Sequence, residues 1–170
     1  SLIAGLSGRG AQAMLAWERF RKGSDVPSFL LPRLTFGQWA LSVKNRRTEF
    51  DWLSHDPAAV DAYVADPLCG WPASVGMWRD IVDMVFEVTK PEEAPEAARR
   101  LPCHLLGGGR DPATAFGKAV ERQAQRMQTA GFQDVTLQLC PGMRHETLNE
   151  PGNDAVLADL MQWLRTRASA

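Results

Sequence analysis

The sequence contains few cysteines, no excess of charge of either sign and no long apolar run. Its three cysteines, Cys69, Cys103 and Cys140, are an odd number without Cys-x-x-Cys spacing, which argues against both a disulfide framework and a zinc site. This usage favours a reducing compartment, so we expect a cytoplasmic protein without a bound metal. A formal net charge of −1 provides no electrostatic basis for binding nucleic acid. No apolar segment approaches the roughly 20 residues that span a bilayer, so we expect no stable membrane insertion.

The composition is that of a folded globular domain. Hydrophobic residues make up 45% of the chain and charged residues 23%, which excludes wholesale disorder. With 170 residues, the chain is long enough to bury a core of its own. The first residue is not methionine, and we therefore expect that the chain begins inside a longer protein.

The first hundred residues have the apolar spacing of helices and almost no strand-like stretches. The pattern predicts helices over 11–22, 34–43 and 58–64. A longer helix is predicted after Ser74, which is a suitable N-cap. Its apolar residues follow helical spacing, namely Trp78, Ile81, Val82, Val85 and Phe86. The proline-rich stretch 91–95 is predicted to be a linker or broken turn.

From Leu101 onward the pattern alternates between strand and helix. Strands are predicted over 101–106 and 135–140. The intervening helix ends near Gly131, and its predicted apolar face consists of Phe116, Ala119, Val120, Ala124 and Met127. A final helix follows, capped by Asn153 or Asp154. The β-α-β-α order implies a parallel sheet with right-handed crossovers. Two strands are too few for such a sheet, so its remainder is expected in sequence outside this chain.

An acidic residue and a histidine follow these two strands. Asp111 comes after the first strand and three glycines, and His145 lies on the loop after the second strand. Open α/β sheets place catalytic groups at the carboxyl ends of their strands. An acid followed by a base is also the order of the last two members of a Ser…Asp…His triad. Each residue has a plainer interpretation, because Asp-Pro is common in turns and an isolated loop histidine is usually a surface residue.

The chain resembles the α/β-hydrolase superfamily, in particular the monoacylglycerol lipase and lysophospholipase-like group known as serine aminopeptidase S33. In the second half, the matching pieces are Gly109-Arg110-Asp111-Pro112, Val135-Thr136-Leu137, Pro141-Gly142-Met143-Arg144-His145-Glu146 and Asn149-Glu150. Segments 45–54 and 60–70 resemble the helical cap of bacterial members. The resemblance implies an α/β fold in which residues 1–100 form a helical cap and residues 101–170 form the C-terminal part of the core. It also implies that Asp111 is the triad acid, that His145 is the triad base and that no cofactor is used.

The nucleophile of such a triad is missing. No Gly-x-Ser-x-Gly motif occurs in the sequence, and the best partial match, at residues 5–10, has Arg9 in place of the second glycine. We interpret Ser7 as a loop residue and expect the nucleophilic serine and the oxyanion hole upstream of this chain. The resemblance then implies a serine ester hydrolase acting on acyl esters, with lipid monoesters such as monoacylglycerols or lysophospholipids preferred because the cap is apolar. The alternative is a non-catalytic fragment or subunit that completes the sheet of another polypeptide.

The remaining chemistry-bearing residues have simpler interpretations. The stretch 109–118 lacks the glycines of a nucleotide-binding loop. We interpret His104 as a hydrogen-bonded core or sheet-face histidine, His55 as a surface residue in a turn, and Asp51 and Asp61 as helix-end or solvent-facing carboxylates. Core packing is the default for the tryptophans of the helical half, which are Trp17, Trp39, Trp52, Trp71 and Trp78. A minority of them is expected to line an apolar acyl channel.

Overall fold

The computed structural model describes residues 6–88 and 90–168. The helices are α1 (Leu6–Lys22), α2 (Leu30–Pro32), α3 (Gln38–Ser42), α4 (Pro57–Ala65), α5 (Val75–Val88), α6 (Glu96–Arg99), α7 (Lys118–Thr129) and α8 (Asp154–Ala168). The strands are β1 (Cys103–Gly108) and β2 (Val135–Cys140). A π-helical turn, Arg33–Gly37, joins α2 to α3, and short 3₁₀ turns lie at Pro91–Glu93, Pro112–Thr114 and Thr147–Asn149. None of the helices in the described ranges is long and apolar enough to cross a membrane.

The core of the helical half lies between α1 and α5. Its buried residues are Ala11, Leu15, Leu31, Val75, Trp78 and Val82. The predicted apolar face of α5 is confirmed at Trp78 and Val82, which are both buried. The predicted cap is confirmed as well, since the Ser74 hydroxyl accepts a hydrogen bond from the backbone N–H of Met77 at 3.2 Å. The spacing of apolar residues predicted this helix correctly because the apolar stripe of the helix packs against one neighbour along several turns.

A buried carboxylate fixes the connection between α1 and α2. Glu18 is 1% exposed, and it accepts hydrogen bonds from the Ser28 hydroxyl at 2.6 Å and from the backbone N–H groups of Phe29 and Leu30 at 2.9 and 3.1 Å. Burial raises the pKa of Glu18, but these hydrogen bonds outweigh it and hold the pKa below its ordinary value. The ionised carboxylate therefore satisfies backbone donors at the start of α2.

Replacing Glu18 by glutamine is expected to lower the free energy of unfolding at pH 7 by about 2 kcal/mol, because an amide presents its own N–H group to donors that need an acceptor. The pKa of Glu18 is lowered by folding, so its contribution is complete above the carboxyl's unfolded pKa and is lost as the pH falls through the folded value. Urea unfolding of both proteins between pH 7 and pH 3 tests this expectation. The exposed Glu93→Gln is the control, and equal losses in the two variants would contradict the assigned role.

Several predicted boundaries were wrong. Helix α1 begins at Leu6 rather than at residue 11, so the backbone of Ser7 is helical and the interpretation of Ser7 as a loop residue was wrong. Once a helix is nucleated, each further residue adds a hydrogen bond, which outweighs the poor propensities of Ser7 and Gly8. Gly5, which belongs to the same partial match to the Gly-x-Ser-x-Gly motif, lies outside the described residues. The helix predicted over 34–43 is interrupted by the π-helical turn Arg33–Gly37.

The two strands form a parallel pair in the register Cys103↔Val135 to Gly108↔Cys140. Strand β1 lies two residues later than predicted, since Pro102 lacks the N–H that a ladder needs whereas Gly107 and Gly108 continue the pairing. Phe116 was predicted on the face of α7, but it precedes that helix with φ 59°. The register brings the carboxyl ends of both strands to one edge of the sheet.

Helix α8 covers one face of this sheet. The Trp163 indole N–H donates to the Thr136 hydroxyl at 2.8 Å, and its ring lies edge-on to His104 with centroids 5.1 Å apart. The interpretation of His104 as a sheet-face histidine is therefore confirmed. Near the end of α8, Arg167 pairs with Asp134, which precedes β2, at 2.7 Å. These contacts hold the second strand in place and so position the loop that follows it.

Candidate active site

The loops that follow β1 and β2 are joined through their backbones. The N–H of Gly109 donates to the Cys140 carbonyl and that of Arg110 to the Met143 carbonyl, both at 2.8 Å. The two loops approach each other so closely that positions 108 and 109 require glycine. A Cβ on Gly108 would lie 2.0 Å from the carbonyl oxygen of Arg144, and one on Gly109 would lie 2.8 Å from Cα of Pro141. The glycine run therefore serves to let one loop pass directly against the other.

Asp111 lies at the end of the first loop and is 2% exposed. Its Oδ1 accepts the backbone N–H of Ala113 at 2.9 Å, which caps the 3₁₀ turn Pro112–Thr114. Its Oδ2 lies 3.0 Å from Nδ1 of His145. One oxygen thus fixes the carboxyl group and the other holds the imidazole, as a carboxylate must do to orient a histidine.

His145 is positioned by Asp111 on one side and by an aromatic ring on another. Its side chain is 42% exposed, and its ring centroid lies 5.1 Å from that of Trp52. The hydrogen bond with Asp111 raises the pKa of His145 above its ordinary value, against the opposing effect of burial. With Nδ1–H donated to the carboxylate, the neutral imidazole presents the lone pair of Nε2. This tautomer is the one that can accept a proton from a hydroxyl group.

A second set of contacts ties the His145 loop to residues 51–55 of the helical half. The Arg144 guanidinium donates to the carbonyls of Asp51 and Ser54 at 2.6 and 2.8 Å. The N–H of Glu146 donates to the Leu53 carbonyl at 2.8 Å. Burial lowers the pKa of Arg144, although the charges of Glu150 and Asp51 oppose that shift. The histidine is therefore held from both halves of the chain.

The structure overturns the interpretation of His55 and Asp51 and confirms that of Asp61. His55 is half-buried, with Nδ1 3.0 Å from the buried carboxylate of Glu150. Asp51 is also buried and accepts hydrogen bonds from the N–H groups of Arg47 and Thr48. Burial opposes ionisation of Asp51, but the hydrogen bonds to Thr48 and Arg47 lower its pKa. Asp61 is exposed and pairs with Arg47 at the surface.

Glu150 was missed as a site residue. The only signal was its place in Asn149-Glu150, which matches the resemblance, and nothing in the local pattern indicates that this carboxylate is buried. Its partners, Arg144 and His55, are brought to it by tertiary packing. A partner 95 residues away leaves no local periodicity from which to infer the contact.

A cavity of about 620 Å³ opens beside Trp52 in the helical half. Its aromatic lining consists of Phe36, Phe50, Trp52, Tyr63, Trp71 and Trp78. Trp52 thus lines the cavity and also contacts His145. Core packing is confirmed for Trp52 and Trp78, which are buried, whereas Trp17 and Trp71 are more than half exposed, so the default was wrong for them. Within the described residues, no cluster of three or more His, Cys, Asp or Glu side chains is placed to hold a metal ion.

Comparison with known proteins places this arrangement in a family. The sequence profile of the family described as serine aminopeptidase, S33, matches residues 11–152, a span that contains both Asp111 and His145. The chain belongs to this family. The resemblance inferred from the motifs is therefore confirmed. The chain is also 30% identical over 132 residues to a monoacylglycerol lipase from Mycolicibacterium smegmatis, a match that covers 75% of this chain and 43% of that protein.

Two solved structures share the fold. A highly thermostable carboxyl esterase from Bacillus coagulans, solved in complex with glycerol, superposes with a TM-score of 0.79 at 19% identity, over 95% of this chain and 53% of that one. A lipase in its open form superposes with a TM-score of 0.73 at 25% identity, over 93% and 51%. The predicted fold class, part of an α/β-hydrolase fold, is confirmed. The chain spans about half the length of the relatives it matches.

Proposed function

We propose that the protein is a serine ester hydrolase that cleaves acyl esters, with lipid monoesters such as monoacylglycerols or lysophospholipids as its substrates. The observation that carries the proposal is the 3.0 Å contact between the buried Asp111 carboxylate and Nδ1 of His145. With Nδ1 bound to Asp111, Nε2 of His145 is available to accept a proton at the carboxyl edge of the sheet, where α/β enzymes place their catalytic groups. Membership of the S33 family supports a hydrolase.

In the proposed reaction, a serine hydroxyl upstream of this chain attacks the acyl carbonyl carbon. Nε2 of His145 accepts the hydroxyl proton and then donates it to the departing alcohol, which leaves an acyl-serine. Water attacks this ester in the same way, so the products are a fatty acid and an alcohol. Asp111 keeps Nδ1–H donated to itself and stabilises the imidazolium while the proton resides on the ring.

The substrate class is inferred from the cavity beside Trp52. Its lining is mainly apolar and aromatic, which suits a hydrocarbon chain better than a polar one. The monoacylglycerol lipase to which the chain is similar supports the same class. A single acyl chain would lie in the cavity with its ester group toward His145, since Trp52 lines the cavity and its ring centroid is 5.1 Å from that of His145.

The proposed partner within the fold is the preceding part of the same sheet. Strand β1 pairs with β2 along one edge, and no strand in the described residues pairs with its other edge. A parallel sheet normally has both edges of such a strand occupied. We therefore place the remaining strands, the nucleophile and the oxyanion hole in the upstream sequence.

A fluorophosphonate probe tests the proposal in the full-length protein. We expect one covalent adduct by intact mass, located on a serine upstream of this chain, and much slower labelling of His145→Ala. Glycerol release from a monoacylglycerol should exceed cleavage of an amino-acid anilide. Absence of labelling would contradict the hydrolase and favour a non-catalytic subunit, whereas anilide cleavage without glycerol release would leave a serine hydrolase but overturn its proposed action on acyl esters.

A further inference from the structure

The carboxylate of Glu150 joins three donors from two parts of the chain. Glu150 is 4% exposed, and its Oε1 accepts the backbone N–H of Arg144 at 2.7 Å. Its Oε2 accepts the backbone N–H of His55 at 3.1 Å, and Nδ1 of the same histidine lies 3.0 Å away. These donors lie away from water, so loss of the carboxylate would leave them without a hydrogen-bond partner. The buried carboxylate therefore holds the donors firmly in place.

One of these donors belongs to the residue directly before His145. The segment between the end of β2 and the turn at Thr147–Asn149 has no regular backbone hydrogen bonding, so its conformation depends on individual contacts. The N–H of His145 donates to the Trp52 carbonyl at 3.5 Å, which is long for a hydrogen bond. The Arg144 N–H belongs to the peptide that enters Arg144, and its 2.7 Å bond to Glu150, together with the 2.8 Å bond from the Arg110 N–H to the Met143 carbonyl of the same peptide, restrains the backbone directly before His145.

We propose that Glu150 is a positioning residue that holds the backbone of Arg144 and thereby sets the orientation of the His145 ring toward Asp111. Displacement of the Arg144 backbone would carry the next residue with it, change the direction of the Cα–Cβ bond of His145 and so move Nδ1 away from the Asp111 carboxylate. Glu150 does not touch the reacting atoms, and it acts through Arg144. The kinetic part of this inference rests on the proposed function, whereas its structural part does not.

The contact with His55 suggests a second route, in which Glu150 only fastens residues 51–55 to the loop. The two routes differ in whether His55→Ala, as well as a change at Glu150, should disturb the orientation of His145. His55→Ala removes the imidazole but leaves the Arg144 N–H bonded to Glu150, so we expect it to retain the orientation of His145. If His55→Ala were as damaging as a change at Glu150, the route through Arg144 would be overturned.

The experiment compares Glu150→Ala, Glu150→Asp and His55→Ala in the full-length protein, with the exposed Glu93→Ala as the matched control for removal of a carboxylate. The first readout is the low-field proton resonance of Nδ1–H of His145, which reports its hydrogen bond to Asp111. The second is kcat and KM for a short, soluble p-nitrophenyl ester. Thermal unfolding of each variant establishes the temperature at which it is folded.

We expect Glu150→Ala, which leaves the Arg144 N–H without its acceptor, to shift or broaden the Nδ1–H resonance and to lower kcat by about 10- to 100-fold with KM little changed, since small misplacement of a catalytic group has costs of this size. Glu150→Asp, which keeps the charge on a shorter side chain, should show an intermediate loss, and it decides the question if the alanine variant does not fold. His55→Ala and Glu93→Ala should retain the resonance and kcat.

An unchanged resonance and kcat in Glu150→Ala, or a rise in KM with kcat unchanged, would overturn the inference. Failure of the proposed function has a different signature. If the wild-type protein hydrolyses no ester and is not labelled by a fluorophosphonate, the Nδ1–H resonance alone decides whether Glu150 positions His145.

Discussion

Asp111→Asn is expected, on the proposed function, to lower kcat of the full-length protein by about 10⁴-fold while leaving the fold intact, as loss of the acid does in established triads. The reason lies in the hydrogen bonds of this particular carboxyl group. Oδ1 accepts the N–H of Ala113 at 2.9 Å, so the amide oxygen of an asparagine would remain there. The amide nitrogen would then face Nδ1 of His145 and act as a donor. His145 would take the tautomer with its proton on Nε2, which cannot accept a proton from a serine.

Steady-state kinetics on a soluble ester, with Asp61→Asn as the control, tests this expectation. Asp61 is an exposed carboxylate in a surface ion pair, and such pairs contribute little to stability. Turnover by Asp111→Asn within a few-fold of the control would remove Asp111 from the triad. Equal labelling of both variants by a fluorophosphonate would lead to the same conclusion.

The same variant has a consequence for pH dependence. A general base must be neutral, so kcat/KM of the wild type should rise with pH through the pKa of His145, which Asp111 holds above its ordinary value. Removing the carboxylate should move the midpoint of any residual activity to lower pH. The raised pKa also means that the His145–Asp111 pair stabilises the fold below the ordinary histidine pKa and that this contribution is lost as the pH rises through the folded value.

Gly108→Ala is expected to destabilise the protein by at least about 3 kcal/mol, or to prevent folding, because the added methyl group meets backbone rather than a movable side chain. The Cβ would lie 2.0 Å from the carbonyl oxygen of Arg144 and 2.5 Å from that of Met143. Relief requires the two loops to separate, which would also pull His145 away from Asp111. Urea unfolding gives the loss of stability, and esterase activity should fall with it.

Gly142→Ala is the matched control on the facing loop. A Cβ at Gly142 would have no heavy atom within 4 Å, so the free energy of unfolding should change by less than about 1 kcal/mol. Similar stabilities of the two alanine variants would show that the loops yield easily, and the requirement for glycine at position 108 would then be withdrawn.

Elements with strong local patterns were predicted well. Helix α5 has an apolar stripe and a serine cap within a few residues, and β2 alternates apolar and polar residues from Val135 to Cys140. Strand β1 was predicted two residues early because its end is decided by pairing with β2, where Gly107 and Gly108 fit against the facing chain. A glycine that stops a strand and a glycine that permits close pairing look alike in sequence.

The sequence by itself predicted the helical and strand-forming segments with strong periodicity and a parallel β-α-β-α ending, because these depend on spacing and residue order, which are local properties. The α/β-hydrolase fold class and the choice of Asp111 and His145 as acid and base followed from residue order together with the resemblance to that superfamily. Only the tertiary structure decided that the buried Asp111 carboxylate lies 3.0 Å from Nδ1 of His145 and that Trp52 both lines the cavity and contacts His145. It also decided that Glu150 and Asp51 are buried and that His55 is half-buried against Glu150. Their environment is created by segments far apart in the chain, and burial of a polar group depends on donors that distant segments supply.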